Sequence, residues 1–290
     1  MKYLNTKYPS LFDSIIGTAS INYNAIYLAT NTSQRYCIKN TSATSIYVKF
    51  RLAQNYTGST LTSFVSIVMN NGTTIRLRGN STDIQIDNTT TSSVLWQGGI
   101  PSVNDWPISG YYYRDWYIHI DTILDVIDVY SDGTKYASVS AGLSGEVISS
   151  IEIGKFATGS SYAYSLYLQN IIISDTAFSV NETITEVAPT ITSTDWTVSS
   201  GVATADTVGA SMTLTAPSGS IDETKRTVTG YGLAFFNSTP SETINALNIT
   251  QGATTKQVII PSGSVETADT FAVSQLSDIS ATAVAAYVSQ

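Results

Sequence analysis

The sequence is poor in charge and contains a single cysteine. Charged residues make up 12% of its 290 positions, about half the usual share of roughly 25%. Hydrophobic residues reach 42% and aromatic residues 10%, which excludes intrinsic disorder because disordered chains lack large apolar side chains. Few charges combined with many β-branched and aromatic residues are typical of half-buried pleated surfaces. The length predicts one large domain or two ordinary ones.

The lone cysteine, Cys37, excludes a disulfide framework within the chain. Because His119 is the only histidine, a Cys/His zinc site within one chain is excluded as well. No apolar leader follows Met1, and no window reaches the roughly 18 apolar residues of a membrane helix. We therefore expect folding in a reducing cytosol, with Cys37 as a small buried apolar residue of a strand.

The net charge is −8 and the isoelectric point is near 4.5. A chain of this sign repels phosphate backbones and anionic lipid surfaces, so we expect neither nucleic acid nor a membrane as a partner. The sequence also lacks glycine-rich phosphate loops and basic stripes.

Apolar residues recur with a period of two in most segments. Ser45–Leu52 alternates polar and apolar residues, and Thr74–Arg78 and Asp83–Asp87 do the same. No segment carries a long apolar stripe with the 3.6-residue period of a helix. Many short strands separated by turn residues predict an all-β sandwich or barrel.

The alternation weakens between about 181 and 194, which predicts a linker there. Before the linker, residues 1–180 form the predicted sandwich. After it, residues 195–290 contain shorter strands rich in Ser, Thr and Ala, separated by turns such as Pro261–Gly263. We predict that 195–290 form a second, smaller β domain with an attachment or assembly role.

Four elements between residues 113 and 176 occur in a specific order. Tyr113–Ile120 is a strand led by aromatic residues, and Val126–Lys135 is a strand followed by an Asp-Gly hairpin. Ile148–Gly154 is a strand closed by glycine, and Leu166–Asp175 ends the domain. Over about residues 10–178 the chain resembles the concanavalin A-like and laminin-G-like jelly rolls, whose pattern is W-x-I, V-x-V-Y-x-D-G, I-x-I-G and I-x-N-I-x-I-x-D. The resemblance implies an all-β, lectin-like jelly-roll sandwich followed by a smaller β domain.

A lectin-like domain followed by a small β domain rich in Thr, Ser and Ala is similar to structural proteins of tailed-bacteriophage particles, which decorate capsids, tails or fibres. This similarity implies a non-enzymatic protein that assembles in the host cytoplasm and resides in the virion. Its expected partners are other virion proteins and further copies of itself. The alternative is a carbohydrate-binding adhesin that recognises host-surface glycans.

Catalytic patterns are missing from the sequence. A glycosidase needs two carboxylates about 5–10 Å apart, yet Glu146 and Glu152 straddle a turn and no Glu-x-Asp-x-x-Glu triplet occurs. The sequence has no Gly-x-Ser-x-Gly nucleophile elbow whose serine His119 could activate, so we interpret His119 as a surface or interface residue. We predict no enzymatic activity, and a polysaccharide-degrading enzyme stays only as a third hypothesis.

No metal-binding motif is present, and we expect no cofactor. Calcium alone stays open, because the resemblance implies a fold that often holds calcium on loop oxygens. The residues that offer such oxygens are Asp83, Asp87, Asn88, Asn104 and Asp105.

Five aromatic residues fall within eighteen positions that also contain glycine and proline. They are Trp96, Trp106, Tyr111, Tyr112 and Tyr113. Connections longer than about 12 residues tend to be functional, and aromatic platforms both stack on sugars and anchor protein interfaces. We predict a ligand-binding surface here, either for a glycan or for protein packing against the core or another subunit.

Overall fold

The structure is a computed structural model that divides into two compact units, Met1–Ile184 and Thr185–Gln290. The residues it describes are 2–5, 12–29, 34–54, 61–80, 82–99, 104–105, 107, 110–156, 165–184, 190–192, 196–199, 202–205, 211–215, 234–236, 243–251, 254–258, 265–267 and 280–288. The regular structure among them is β-strand throughout, and they include no helix long and apolar enough to cross a membrane.

Sixteen strands are described in the first unit. They are β1 (Lys2–Asn5), β2 (Ser14–Ile16), β3 (Ala19–Asn22), β4 (Ala25–Leu28), β5 (Arg35–Ala43), β6 (Ser45–Gln54), β7 (Thr62–Met69), β8 (Thr74–Gly79), β9 (Asp83–Asn88), β10 (Ser93–Gly99), β11 (Asn104–Asp105), β12 (Tyr112–Asp121), β13 (Val126–Ser131), β14 (Thr134–Val139), β15 (Ile148–Lys155) and β16 (Leu166–Ser174).

These strands form two antiparallel sheets. In sheet A, seven strands follow the order β14-β13-β12-β6-β16-β4-β3, while β1 pairs with β16 and β11 pairs with β12. Sheet B has the order β10-β9-β8-β7-β15-β5-β2. Because the chain passes repeatedly from one sheet to the other, neighbouring strands are often distant in sequence. The central strand β6, for example, lies between β12 and β16.

The core lies between the inner faces of the two sheets. The alternating apolar residues of β6 all point inward, and each exposes 2% of its surface or less: Ile46, Val48, Phe50 and Leu52. Phe64 of β7 and Trp116 of β12 meet from opposite sheets with ring centroids 4.7 Å apart. Burying one such side chain stabilises the fold by about 1.5–3 kcal/mol, so the period-two pattern decides which face of each strand packs inward.

The four elements that carry the family resemblance form β12, β13, β15 and β16, in that order. Asp132 and Gly133 have φ angles of 49° and 80°, which is the two-residue hairpin geometry expected from an Asp-Gly pair. In β16, Asn170 has a φ of 53° at a bulge between Gln169 and Ile172. The predicted all-β, lectin-like jelly-roll sandwich is confirmed.

The second unit contains only β-strands among its described residues. They are β17 (Thr190–Thr192), β18 (Trp196–Ser199), β19 (Val202–Ala205), β20 (Ser211–Thr215), β21 (Ala234–Phe236), β22 (Thr243–Gln251), β23 (Thr254–Val258), β24 (Val265–Thr267) and β25 (Ser280–Val288). Five of them form a sheet in the order β17-β20-β25-β22-β23, and β18-β19 and β21-β24 form two pairs. The linker over 181–194 and the attachment role of 195–290 stay predictions.

Candidate functional site

Alternate residues of the central strands point outward from sheet A. On β6 and β12 these outward residues pair as Ser45 with Asp121, Tyr47 with His119, Lys49 with Tyr117, Arg51 with Asp115 and Ala53 with Tyr113. The apolar inward residues of both strands are buried. Most of their polar and aromatic side chains lie on this outer face. The two ends of this face differ.

Five tyrosines meet at one end of this face. We call Tyr23, Tyr27, Tyr111, Tyr113 and Tyr167 the tyrosine cluster. The ring of Tyr167 lies at its centre, 4.9 Å from that of Tyr27 and 5.3 Å from that of Tyr111 between centroids. Tyr23 reaches the same ring edge-on at 6.2 Å, and Tyr113 packs beside it. Rings from the β3–β4 hairpin, from β12 and from β16 thus form one aromatic surface.

Tyr23 occupies the first position of the two-residue turn between β3 and β4. Tyr23 and Asn24 have φ angles of 48° and 57°, which is the geometry of a type I′ turn. Asn adopts this conformation readily, whereas a bulky residue does so at a cost of roughly 1 kcal/mol. The Tyr23 ring is 61% exposed, so burial does not offset that cost. The Gln169 side chain donates a hydrogen bond to the Asn24 carbonyl at 2.7 Å, which ties the turn to β16.

Arg51 forms a fixed polar rim beside the tyrosine cluster. Its Nε and Nη2 each donate to one oxygen of Asp115 at 2.7 Å, and this bidentate bond raises the pKa of Arg51. The guanidinium carbon lies 4.4 Å from the centroid of the Tyr113 ring. Both charged side chains remain about one-third exposed. A planar cation held between a carboxylate and a ring presents its remaining N–H groups in a set direction.

The hydroxyl groups of the cluster add hydrogen-bonding capacity to its rings. Burial, followed by the neighbouring phenols, raises the pKa of Tyr167 to about 12, so this hydroxyl stays neutral and both donates and accepts hydrogen bonds. The Tyr27 hydroxyl lies 3.4 Å from Ser165 Oγ. The surface therefore combines apolar ring faces with neutral hydroxyls and one guanidinium–carboxylate pair, which suits a ligand that has both apolar faces and hydroxyl groups.

The other end of the outer face is covered by residues 175–184, which we call the strap. Phe178 of the strap packs edge-on against Tyr117, with centroids 5.3 Å apart, and its carbonyl accepts a hydrogen bond from the Tyr117 hydroxyl at 3.0 Å. Lys49 Nζ donates to two further strap carbonyls at 2.5 Å. Burial raises the pKa of Tyr117 to about 12 and lowers that of Lys49. This end is thus closed by packing within the unit.

The described members of the predicted aromatic segment do not all lie on one surface. Tyr111 and Tyr113 belong to the tyrosine cluster. Tyr112 pairs with Gln54, which is 2% exposed, and points to the opposite side of β12. Trp106 lies outside the described residues. Two of the five predicted residues are therefore brought together, and whether they bind a ligand stays a prediction.

Trp96 lies in β10 of sheet B rather than in a long connection. It pairs with Ile86, which is fully buried, so its side chain lies on the inner side of the edge strand. Its ring covers Gly98, where an added Cβ would lie 2.6 Å from ring carbons. Glycine at this position is what allows the indole to fold flat over its own strand.

Sequence reasoning missed three members of the cluster: Tyr23, Tyr27 and Tyr167. Tyr27 and Tyr167 are direct register partners of β4 and β16, although 140 positions separate them in the sequence. The only signal in the sequence was the count of 18 tyrosines, which indicates aromatic surfaces without saying which rings meet.

Ser45, His119 and Asp128 lie side by side across β6, β12 and β13. Ser45 Oγ is 3.3 Å from His119 Nε2, and His119 Nδ1 is 3.8 Å from Asp128 Oδ2. The order matches a catalytic triad, but the second distance is too long for the hydrogen bond that orients the imidazole. Asp128 instead accepts hydrogen bonds from Lys135 at 2.8 Å and Ser138 at 2.6 Å. Ser45 also sits in a regular strand rather than on a strained elbow.

A row of polar residues crosses the outer face of sheet B. Glu152, Ser66, Arg76 and Asp87 are successive register partners on β15, β7, β8 and β9. Burial raises the pKa of Glu152, as is common for catalytic acids. Three strand spacings place Glu152 and Asp87 roughly 14 Å apart, which exceeds the separation of about 5–10 Å that glycosidase carboxylates need.

A cavity of about 290 Å³ opens on the same face beside β8, β9 and β10. Both oxygens of Asp87 accept hydrogen bonds there, one from Arg78 at 3.3 Å and one from Gln85 at 2.5 Å. No group of three His, Cys, Asp or Glu side chains that could hold a metal occurs in the described part of the chain. The oxygen donors considered for calcium are divided between β9 in sheet B and Asn104–Asp105 of β11 in sheet A.

No family model and no curated protein matches the chain. Solved structures that resemble it include the cellulose induced protein Cip1, at 12% identity and a TM-score of 0.44 over 61% of this chain and 93% of that one. A botulinum neurotoxin type C structure, described by its interaction with two ganglioside molecules, has 14% identity and a TM-score of 0.42 over 58% and 44%. An alginate lyase from Corynebacterium sp. has 12% identity and a TM-score of 0.38 over 54% and 80%. Likenesses at these scores carry no inference about function.

Proposed function

We propose that the first unit is a non-enzymatic carbohydrate-binding module whose ligand lies on the tyrosine cluster. The observation that carries this proposal is Tyr23, a 61% exposed ring at a turn position with a φ of 48°. A core residue would be buried, and a residue that only closed the turn would be Asn or Gly. Strained positions that hold an exposed side chain in place are common at ligand-binding sites.

The chemistry of the surface favours a neutral glycan. Sugar rings have an apolar face that stacks on tyrosine, and their hydroxyls pair with phenols and with the Arg51–Asp115 rim. That rim is charge-balanced, and a chain with a net charge of −8 repels polyanions. We therefore expect neutral oligosaccharides to bind more tightly than uronate-rich or sulfated ones.

A glycan array probed with the full chain tests this proposal. We expect binding to neutral glycans, at least tenfold weaker in Tyr111→Ala and Tyr113→Ala because each loses a stacking ring. Leu124→Ala is the matched control, since Leu124 is 72% exposed in the β12–β13 turn and lies outside the cluster. Absence of glycan binding by the intact chain, or equal loss in the control, would reject the proposal.

The non-enzymatic part of the proposal has its own assay. The chain is incubated with each polysaccharide that it binds, and the release of reducing ends or unsaturated products is followed. We expect no turnover, because Glu152 and Asp87 are too far apart and the Ser45–His119–Asp128 row lacks its second hydrogen bond. Turnover abolished by Glu152→Gln or Ser45→Ala would overturn this expectation.

A structural role in a bacteriophage particle is the second candidate. It is favoured by the low charge of the chain and by the exposed Ile16 and Ile21 on β2 and β3, the last strands of the two sheets, which suit contact with other protein subunits. Mass spectrometry of purified particles, together with the neighbourhood of the gene, tests this role. Absence of the chain from every particle, beside clear glycan binding, would leave the first candidate alone.

A further inference from the structure

Both sheets of the first unit end at the same side of the sandwich. β2 is the last strand of sheet B and β3 is the last strand of sheet A, and Gly17 and Thr18 join them directly. Within the described ranges, β2 pairs only with β5 and β3 only with β4. Backbone hydrogen-bonding groups on one side of each strand therefore point away from the sandwich. We call β2 and β3 the open edge.

Apolar side chains are exposed along this edge. Ile16 of β2 is 41% exposed and Ile21 of β3 is 51% exposed. Ile21 pairs with the fully buried Ile26, so it lies on the core side of sheet A where that core reaches the surface. Exposed apolar side chains on the last strand of each sheet are typical of an interaction surface.

The strands of the open edge contain no charged residue or proline of the kind that usually keeps strand edges apart, although Arg35 of β5 donates a hydrogen bond from Nη1 to the Thr18 carbonyl between them at 3.0 Å. Residues 14–34 contain no charged residue and no proline, whereas natural edges are usually blocked by Lys, Pro or a bulge. The opposite side of the sandwich has such features. Lys135 of β14 is 42% exposed there, and β10 has a register shift between Val94 and Trp96. The two sides of the sandwich thus differ in how their edge strands are protected.

We infer that two copies of the chain associate through their open edges, with β3 of one copy pairing antiparallel to β3 of the other. Two chains of charge −8 repel each other, and a two-fold interface brings the residues near its axis close to their own copies. The described part of the uncharged segment, residues 14–29, is where we infer that two copies approach without that repulsion. The pairing joins two A sheets into one continuous sheet.

The symmetry of this pairing also places the binding surfaces. Opposed residues of an antiparallel pair share one face of the sheet, so the two tyrosine clusters lie on the same side of the dimer. A β3 strand of four residues spans about 14 Å, which sets the two Tyr23 turns at opposite ends of the shared strand pair. The inferred dimer is independent of the proposed function. Its consequence, the binding of one polysaccharide at two sites, rests on the proposed function.

The register of β3 with β4 allows a selective test. Asn22 and Ala25 flank the two-residue turn and form its hydrogen-bonded pair, so the backbone N–H of Ile21 points toward the open edge. Ile21→Pro removes that donor without touching the β3–β4 bonds, and Ile21→Lys places like charges opposite each other across the two-fold axis. Val94→Lys is the matched control, because Val94 is 56% exposed on β10.

Sedimentation velocity of the full chain, from about 1 to 200 μM, gives the oligomeric state of each variant. We expect a dimer with a micromolar dissociation constant for the intact chain and for Val94→Lys. We expect folded monomers, with melting temperatures lowered only by the lost association, for Ile21→Lys and Ile21→Pro. A monomeric intact chain at the highest concentration, or dimers in both Ile21 variants, would overturn the inference.

Binding measurements separate this inference from the proposed function. On an immobilised polysaccharide that the intact chain retains, Ile21→Lys is expected to bind at least tenfold more weakly through lost avidity. Its affinity for a soluble oligosaccharide of the same type is expected to stay unchanged. A dimer that binds no glycan would reject the proposed function while leaving the dimer in place.

Discussion

Replacing Tyr23 by Asn separates ligand binding from folding more cleanly than any other change in the tyrosine cluster. Tyr23 has a φ of 48°, a conformation in which Asn is several-fold enriched. The substitution therefore removes the exposed ring and relieves backbone strain in one step. We expect the free energy of unfolding to stay the same or to rise by up to about 1 kcal/mol.

The loss of ligand affinity follows from the exposed ring. A tyrosine side chain has about 200 Å² of surface, and Tyr23 is 61% exposed, which leaves about 120 Å² accessible. A sugar stacked on one face covers roughly half of this, or about 60 Å². At about 25 cal/mol per Å² the contact contributes about 1.5 kcal/mol, equivalent to a roughly tenfold change in dissociation constant.

Isothermal titration with a soluble oligosaccharide chosen from the glycan array gives the affinity, and thermal melting gives the stability. Leu124→Asn is the matched control, because it removes a more exposed apolar residue, 72% accessible, from another turn of sheet A. Unchanged affinity in Tyr23→Asn would show that the ring does not contact the ligand. A marked drop in melting temperature would contradict the strain argument instead.

Three further predictions concern the fold. The pKa values of Tyr117 and Tyr167 are raised to about 12, above the unfolded value of about 10. The stability that these two neutral hydroxyls contribute is therefore complete below about pH 10 and is lost as the pH rises to about 12. Melting temperatures and tyrosinate absorbance measured against pH test this expectation. Burial raises the pKa of Cys37 to about 12, so its thiol is expected to react with a disulfide reagent only after denaturation. Gly154→Ala is expected to destabilise the first unit by about 3 kcal/mol in urea unfolding. The reason is that Gly154 has a φ of +151° and an added Cβ would clash with the backbone of β5. An alanine variant as stable as the native chain would refute this expectation.

The architecture of the first unit follows largely from local sequence patterns. Alternation in β6 is a local property, since successive side chains of a strand point to opposite faces, and it names the buried residues without knowledge of their neighbours. The Asp132-Gly133 turn is local as well, because it requires positive φ angles that these residue types tolerate. Such features are readable from neighbouring residues in the chain.

The tertiary structure alone decided which aromatic rings share a surface. Tyr111 and Tyr113 are close in sequence to Trp96, yet Trp96 lies in sheet B while both tyrosines lie against Tyr167 of sheet A. Local alternation states which face a side chain occupies within its strand, but the pairing of β4, β6, β12 and β16 results from the packing of the whole unit. The tyrosine cluster and the strap therefore appear only when strands far apart in sequence become neighbours.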